Sequence, residues 1–290
     1  MITGANSGIG LAAAEIIAAQ GGHVIMACRD LARAEAASKS VVSGASGGGK
    51  ASIVQLDLAS FDSIKAGAES IRGLADNIDA LVLNAGVMQP KGRLETKEGF
   101  EAQFGINHLG HFLLSGLLAD RVEAAKGRFV SISSSMHKAG GKRIRFEDPN
   151  WKTEYKPAAA YAQSKLANAL FARELNNRTV QSGAAARAYI CHPGYAATPL
   201  ISKELNGLAY GVLKVSNAIS AQSPEKGSWP TVLCAASEDA EAGKYYGPTG
   251  FLDLRGPVGE CKLAAQARDD EAAAKLWSLS EDLTGLSWTL

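Results

Sequence analysis

Residues 3–10 read Thr3-Gly4-Ala5-Asn6-Ser7-Gly8-Ile9-Gly10, a glycine-rich turn almost at the start of the chain. Gly4 allows a tight turn, Gly8 lets the main chain approach a phosphate, and Gly10 lets the next helix pack against a sheet. A helix that begins near Ile9 would direct its free N–H groups and its positive dipole end toward that phosphate. The turn therefore predicts a dinucleotide site with cofactor contacts from Gly4, Asn6, Ser7, Gly8, Ile9 and Gly10.

The position of this turn is unusual, because such a turn follows a β-strand and only Met1 and Ile2 precede it. In a doubly wound sheet that strand lies in the middle, so shortening it would expose the edges of two neighbouring strands. We therefore expect a truncated first strand, with a short β-branched run encoded upstream. Without such a run, we expect a less stable protein.

Short β-branched runs alternate with helical stretches along most of the chain, which predicts a Rossmann-type, doubly wound parallel sheet with helices on both faces. The expected strands are 23–28, 52–56, 80–83, 128–133 and 184–190, and the expected helices are 11–19, 31–42, 60–75, 99–124 and 158–176. No domain boundary is evident, so residues 1–290 are interpreted as one domain. Two loop-like stretches, 138–157 and 199–222, and a tail at about 257–290 interrupt the alternation.

Composition excludes several classes of protein. Lysine plus arginine (30) nearly balances aspartate plus glutamate (29), which gives no reason to expect nucleic acid or an anionic membrane as a partner. No apolar run reaches the roughly 18–20 residues that span a bilayer, so we expect no integral membrane segment and a cytoplasmic location. The four cysteines are scattered without CxxC spacing, which favours reduced, buried thiols and no metal site.

The end of the second strand reads Ala27-Cys28-Arg29-Asp30. A dinucleotide site that selects NAD usually has a carboxylate here, bonded to the ribose 2′-hydroxyl. Cys28 stands at that position instead, and the Arg29 guanidinium can pair with a 2′-phosphate. The pattern predicts NADP(H) as the cofactor. The alternative is that Arg29 is a solvated residue at a helix start, with Asp30 as the N-cap.

Tyr161 and Lys165 are four residues apart at the start of a predicted helix, which places both side chains on one face. A free phenol has a pKa of about 10, and a neighbouring ammonium lowers that pKa because it favours the phenolate. Such a pair can give a proton to a carbonyl oxygen or take one from an alcohol. Ser134 lies in a serine-rich run at the end of a strand, where sheets of this kind bind ligands.

Together these motifs resemble the short-chain dehydrogenase/reductase family over about residues 2–198. The shared elements, in the order of the family, are the glycine turn, Leu56-Asp57-Leu58, Asn84-Ala85-Gly86, Asn107, the serine run 131–135, the Tyr161/Lys165 pair and Pro193-Gly194. One departure is Leu83, which replaces the first asparagine of the usual NNAG pattern.

The resemblance implies a role for each matching residue. Tyr161 would be the general acid/base, Lys165 would lower its pKa and bind the nicotinamide ribose, and Asn107 would hold a water in a proton relay. Ser134 would hydrogen-bond the reacting oxygen, with Ser133 and Ser135 as alternatives. The implied cofactor contacts are Asp57 and Leu58 to adenine, Asn84, Ala85 and Gly86 to the adenosine ribose, and Thr198 to the carboxamide, with Pro193 and Gly194 also in contact with the cofactor.

Within that family, the stretch Asn107-His108-Leu109-Gly110-His111-Phe112 and the long insert between Ser134 and Tyr161 are similar to the retinol-dehydrogenase-like branch. His108, His111 and His137 are interpreted as packing residues, or as residues that support the site from behind the reacting groups, rather than as extra acid/base groups. The apolar stretch 199–222 would cover a lipophilic aldehyde, ketone or alcohol, retinal-like or steroid-like, or else pack on the core or a second subunit.

Three matters stay open in the sequence. By family likeness, helices 99–124 and 158–176 would pair between subunits of a homodimer or homotetramer, and the tail is either a docked helix or a partner surface. A regulator or scaffold that binds NADPH without turnover is the main functional alternative. A nucleotide-sugar epimerase or dehydratase shares the Tyr161/Lys165 pair, but usually has a TGxxGxxG turn and a longer C-terminal region.

Overall fold

The computed structural model describes residues 1–88, 90, 92–138, 143–195 and 222–288. Their strands form one eight-stranded sheet in the order β3-β2-β1-β4-β5-β6-β7-β8. All neighbours are parallel except β7 and β8, which are antiparallel. The strands are β1 (Ile2–Thr3), β2 (His23–Cys28), β3 (Lys50–Gln55), β4 (Ala80–Leu83), β5 (Arg128–Ile132), β6 (Arg187–Cys191), β7 (Tyr245–Pro248) and β8 (Val258–Glu260).

Helices cover both faces of this sheet, which confirms the predicted fold class. They are α1 (Gly8–Ala19), α2 (Leu31–Ser43), α3 (Phe61–Arg72), α4 (Ala102–Phe104), α5 (Gly110–Leu117), α6 (Ala119–Ala124), α7 (Pro157–Ser182), α8 (Pro224–Ala236) and α9 (Asp270–Thr284). A π-helical segment, Gly105–Leu109, joins α4 to α5.

The core lies in two layers, one on each face of the sheet, because side chains alternate along a strand. In β4, Leu81 and Leu83 belong to the layer that contains α5 and α7, whereas Val82 belongs to the layer under α1 and α8. Both layers are apolar, as a parallel sheet with helices on each face requires.

The short first strand is confirmed, and it lies in the middle of the sheet. Ile2 pairs with Met26 of β2 and with Val82 of β4, and Thr3 pairs with Ala27. The order of the strands reverses between β1 and β4, so the carboxyl ends of these two strands form the crevice where such sheets bind ligands. A separate cleft of about 490 Å³, lined in part by Met1 and His23, lies at the opposite, amino-terminal edge.

The prediction of one continuous helix over 99–124 is wrong. Gly99 has a positive φ of +83° and lies outside the helix, which begins at Ala102. The π-helical segment then interrupts it, and a second break at Leu118 separates α5 from α6.

The tail contains β8 and α9, and it docks on the rest of the chain. The helix α9 packs along α7, and the Trp277 ring stacks on Phe171 with 5.9 Å between ring centroids. Trp288 lies against Phe112 and Phe129 in the same aromatic cluster. The described residues therefore favour the docked helix over a free partner surface.

Two further observations concern the cysteines and membrane-spanning segments. The four cysteines are free and buried, as predicted. Within the described ranges, no helix is both long enough and apolar enough to cross a membrane. The apolar stretch 199–222, which would cover a lipophilic substrate, lies outside the described residues except for Gln222.

Candidate active site

The crevice at the ends of β1 and β4 is built around the glycine turn. Gly4 and Gly8 have positive φ values of +66° and +56°, which an L side chain rarely adopts. A Cβ on Gly10 would lie 2.4 Å from Asn84 Nδ2 and 2.5 Å from Gly4 O. Only glycine fits this close approach of α1 to β4, as the sequence predicts.

The start of α1 has the features of an anion site. Within residues 1–88, Ser7 precedes the helix without making a side-chain capping bond, and the first turn carries no acidic residue. The first N–H groups of a helix have no partner within the helix. A pyrophosphate would accept from these groups and meet the positive end of the helix dipole. The turn therefore fits a dinucleotide.

Asn84 and Ala85 fasten the turn to β4. Their main-chain N–H groups donate to Thr3 Oγ1 over 2.9 and 3.0 Å, and Asn84 Nδ2 donates to Thr3 O over 2.8 Å. Gly86 follows, and a Cβ added there would lie 3.0 Å from Asn107 Oδ1 and 3.8 Å from Lys165 Nζ. The Asn84–Gly86 motif thus connects the phosphate turn with the predicted catalytic residues.

At the end of β2, Arg29 is exposed and makes no ion pair with any residue in the described part of the chain. Asp30 is the N-cap of α2, because its carboxylate accepts from Arg33 N over 3.0 Å. The Cys28 thiol is buried and accepts from the main chain of Ala5 and Asn6 in the turn. No carboxylate at the end of β2 is therefore directed at a ribose, and the Arg29 guanidinium is available to an anion.

Ser134 and Tyr161 lie near each other, Ser134 just after the carboxyl end of β5 and Tyr161 in the first turns of α7. The Ser134 hydroxyl lies near enough to the Tyr161 phenol to lower the phenol pKa, and it accepts from Met136 N over 3.2 Å. Ser133, in contrast, donates to Lys165 O over 2.8 Å, and Ser135 begins a 3₁₀ turn. Of the three serines, Ser134 is therefore the one that contacts the phenol.

Lys165 is buried one helical turn beyond Tyr161. Its ammonium donates to Ile132 O over 3.0 Å and lies 5.8 Å from the centre of the Tyr161 ring. Burial lowers the pKa of Lys165 to about 8. Burial also raises the pKa of Tyr161 to about 12, and the nearby Ser134 hydroxyl opposes that rise. Lys165 does not lower the phenol pKa as the sequence predicts, because desolvation sets the direction of the shift.

Asn107 lies in the π-helical segment, and its side chain is fully bonded. Its Oδ1 accepts from Val87 N over 2.8 Å, while its Nδ2 donates to Val87 O and to Ser164 Oγ, each over 3.0 Å. Ser164 Oγ in turn donates to Tyr161 O over 2.8 Å. Short π-helical segments often mark functional sites, and this one joins the loop after β4 to the start of α7.

Comparison with known proteins agrees with this geometry. The profile of the short-chain dehydrogenases matches residues 1–207, which include the turn, Asn107, Ser134 and the Tyr161/Lys165 pair. The chain belongs to the short-chain dehydrogenase family. This short-chain dehydrogenase is accordingly an oxidoreductase that acts on CH–OH or C=O groups with a nicotinamide cofactor.

Several relatives resemble this short-chain dehydrogenase over nearly its whole length. Across 99% of the chain it is 39% identical to human retinol dehydrogenase 13 and 36% identical to human retinol dehydrogenase 14, covering 84% and 86% of those proteins. A protein from Mycobacterium paratuberculosis, 36% identical, superposes on all of this chain and 94% of its own with a TM-score of 0.80.

More distant structures share the fold alone. The L-sorbose reductase of Gluconobacter frateurii, solved with NADPH and L-sorbose, is 24% identical to this short-chain dehydrogenase. It superposes with a TM-score of 0.64 over 84% of this chain and 92% of its own.

The remaining predicted contacts of this short-chain dehydrogenase lie around the same crevice. Asp57 accepts from Ala59 N over 3.0 Å, and the Leu58 side chain is part of the core. The Pro193–Gly194 turn follows β6, with Gly194 at φ +68°. Thr198 lies outside the described residues.

Two residues without a role predicted from the sequence shape the site. Val87 holds the Asn107 side chain through its main chain, which no sequence pattern could reveal. His192 accepts from Gly194 N over 3.2 Å and stacks on Tyr245, with 4.9 Å between ring centroids. The stretch His192-Pro193-Gly194 was visible in the sequence, but only the fold shows that the imidazole supports the turn.

His108, His111 and His137 are largely or fully buried, in agreement with the packing interpretation. Burial lowers the pKa of His108 to about 3 and that of His111 to about 4, and it also lowers the pKa of His137. Neutral, buried imidazoles of this kind serve as hydrogen-bonding elements of the structure at physiological pH.

Proposed function

We propose that this protein is an NADP(H)-dependent oxidoreductase for a lipophilic aldehyde, ketone or alcohol, retinal-like or steroid-like. The observation that carries the proposal is the grouping of the buried Tyr161 phenol with the Lys165 ammonium, 5.8 Å from its ring centre, and with the Ser134 hydroxyl, which lowers the phenol pKa. These three groups lie at the ends of β5 and α7, next to Gly86 and the turn that fits a pyrophosphate. This grouping supports a phenol that gives a proton to a substrate carbonyl while a bound nicotinamide supplies the hydride.

Three residues would each have a different role in the reaction. When bound, the nicotinamide supplies a hydride to the carbonyl carbon, or accepts one from the alcohol carbon in the reverse direction. Tyr161 gives its proton to the carbonyl oxygen, and the high pKa of its phenol keeps that proton in place at neutral pH. Ser134 hydrogen-bonds the same oxygen, and Lys165 holds the nicotinamide ribose.

The choice of NADP(H) rests on the end of β2. Arg29 is exposed there, and Cys28 occupies the place of the carboxylate that favours NAD. An unpaired guanidinium can bind a 2′-phosphate by donating two parallel hydrogen bonds to its oxygens. The lipophilic substrate is supported by the likeness to human retinol dehydrogenases 13 and 14 and by the apolar composition of 199–222. A cytoplasmic location and a homodimer or homotetramer remain predictions.

Tyr161→Phe provides the direct test. Because the variant lacks the proton donor, we expect turnover to fall by roughly 10²–10⁴-fold while NADPH binding stays intact. Tyr155→Phe is the matched control, since its phenol bonds Glu101 and not Ser134. Initial rates are measured with NADPH and NADH over a panel of lipophilic aldehydes, ketones and alcohols.

Two outcomes would contradict the proposal. Near-wild-type turnover of Tyr161→Phe would remove the phenol from the mechanism. Tight NADPH binding by the wild-type protein, without turnover of any compound in the panel, would favour the regulator that binds cofactor without catalysis.

A further inference from the structure

A buried imidazole lies between the glycine turn, residues 3–10, and Asn107. His111 is only 2% exposed, and its two ring nitrogens reach different elements. Its Nε2 lies 2.9 Å from Thr3 Oγ1 at the end of β1, and its Nδ1 lies 2.9 Å from Asn107 O in the π-helical segment. No other described side chain is recorded with hydrogen bonds to both of these positions.

The balance of donors and acceptors decides which nitrogen carries the proton. Thr3 Oγ1 has two lone pairs, and the N–H groups of Asn84 and Ala85 occupy them at 2.9 and 3.0 Å. The threonine hydroxyl must therefore donate its own proton. His111 Nε2 at 2.9 Å is closer than the only other acceptor recorded for it, Val82 O at 3.3 Å.

It follows that Nε2 of His111 accepts and Nδ1 donates. The Nδ1–H group then bonds the Asn107 carbonyl, which is an acceptor only. A protonated ring would place a third N–H donor against Thr3 Oγ1, whose two lone pairs are already used. The neutral Nδ1–H tautomer is thus the form that satisfies every group in this cluster.

Beyond Asn107 the connection continues to the phenol. The Asn107 side chain bonds Val87 and Ser164, and Ser164 donates to the carbonyl of Tyr161. An unbroken series of hydrogen bonds therefore runs from the glycine turn through His111 to the residue that bears the acid/base group.

We propose that His111 is a positioning residue that holds the Asn107 carbonyl through Nδ1 and the phosphate turn through Nε2. The inference rests on the proposed function, because it takes Asn107 and Tyr161 as parts of the reacting site. In this proposal the hydrogen bond to Asn107 O supports kcat, and the hydrogen bond to Thr3 Oγ1 supports the affinity for the cofactor. The two contributions are separable because they use different atoms of one ring.

Two isosteric variants of His111 separate the effect on turnover from the effect on cofactor affinity. In His111→Asn the amide nitrogen takes about the place of Nδ1, so the bond to Asn107 O is kept and the bond to Thr3 is lost. In His111→Gln the amide lies near the place of Nε2, so the Thr3 bond is kept and the Asn107 bond is lost. For His111→Asn we expect a Kd for NADPH raised about tenfold with a near-normal kcat, and for His111→Gln the reverse.

The controls distinguish positioning from a general effect on folding. His108→Gln alters another buried histidine, which bonds Ser280 at 2.8 Å, and should lower Tm without separating kcat from Kd. The Kd is measured by fluorescence titration, which needs no turnover. The ¹⁵N chemical shifts of the wild-type imidazole report its tautomer, and they should show a proton on Nδ1 of His111.

The possible outcomes test the role of His111 separately from the proposed function. Loss of kcat and NADPH affinity together in both variants, in proportion to Tm, would overturn the proposal, as would wild-type behaviour in both. If the variants do not fold, the wild-type spectrum still decides, because a proton on Nε2 would contradict the donor–acceptor balance. Absence of wild-type turnover would instead overturn the proposed function, while the Kd values and the tautomer would still test the Thr3 bond.

Discussion

At the scale of single residues, Arg29 is the side chain to which we assign the choice of cofactor. It is exposed at the carboxyl end of β2, and no described acidic residue neutralises it. Asp30 cannot do so, because its carboxylate caps α2 through Arg33 N. The cost of leaving Arg29 unpaired in the protein is small, since it is solvated, and its charge is available for a 2′-phosphate.

Arg29→Ala should weaken NADPH binding and leave NADH binding unchanged. A hydrogen bond to a charged group contributes about 1.5–3 kcal/mol, so the Kd for NADPH should rise by about 10- to 100-fold. Lys39→Ala removes another exposed cation from α2 and should change neither affinity. A wild-type protein that prefers NADH would contradict the role given to Arg29.

At the scale of elements, the site is made by close approaches between elements that are far apart in sequence. The start of α1 touches the loop after β4 at Gly10, and the π-helical segment turns Asn107 toward Val87. The predicted helix over 99–124 was wrong at this point, because its apolar pattern does not distinguish an α-helix from one that contains a π-helical turn. The loop contacts of Asn107 lie where the helix is irregular.

Gly10→Ala tests the first of these approaches. The added methyl group would come within 2.4 Å of Asn84 Nδ2 and 2.5 Å of Gly4 O, so the turn must shift. We expect a lower Tm and at least a tenfold loss of NADPH affinity, corresponding to about 1.4 kcal/mol or more. Gly73→Ala is the matched control, because its Cβ would meet Ser70 O at an ordinary 3.5 Å. Equal affinity in the two variants would show that the turn tolerates the methyl group.

At the scale of the whole molecule, several imidazoles are enclosed without charge. Burial lowers the pKa of His108 to about 3 and the pKa values of His111 and His192 to about 4. In the unfolded chain a histidine has a pKa of about 6.5. Between these values the unfolded chain binds protons that the folded protein does not, so the free energy of unfolding falls as the pH decreases below about 6.5.

The stability of the protein should therefore be lower at pH 5 than at pH 7.5. Each buried histidine contributes up to about 2 kcal/mol to the loss at pH 5, as measured by urea unfolding. His108→Leu should reduce this difference by a similar amount, whereas His23→Ala, an exposed position, should leave it unchanged. Equal stability of the wild type at the two pH values would show that these imidazoles titrate normally.

The tail also acts at this scale. The helix α9 and Trp288 cover part of the surface formed by α5 and α7. Pairing of two copies through the same helices, as family likeness predicts, would have to use the part of that surface that the tail leaves uncovered.

The sequence by itself determined the fold class, the glycine turn, the Tyr161/Lys165 pair and the family. These features are local: strand and helix periodicity, positive φ at glycine, and a spacing of four residues on one helix face are set by neighbours along the chain. Most strand and helix positions could be predicted for the same reason.

Only the tertiary structure decided which serine meets the phenol, what His111 bonds and where the tail packs. Thr3 and His111 are 108 positions apart, and His108 and Ser280 are 172 apart. Such contacts depend on how α5, α7 and α9 pack on the sheet, and that packing also decides which groups lose water. Desolvation sets the pKa values of Tyr161, Lys165 and the buried histidines, so their chemistry follows from the fold rather than from residue type.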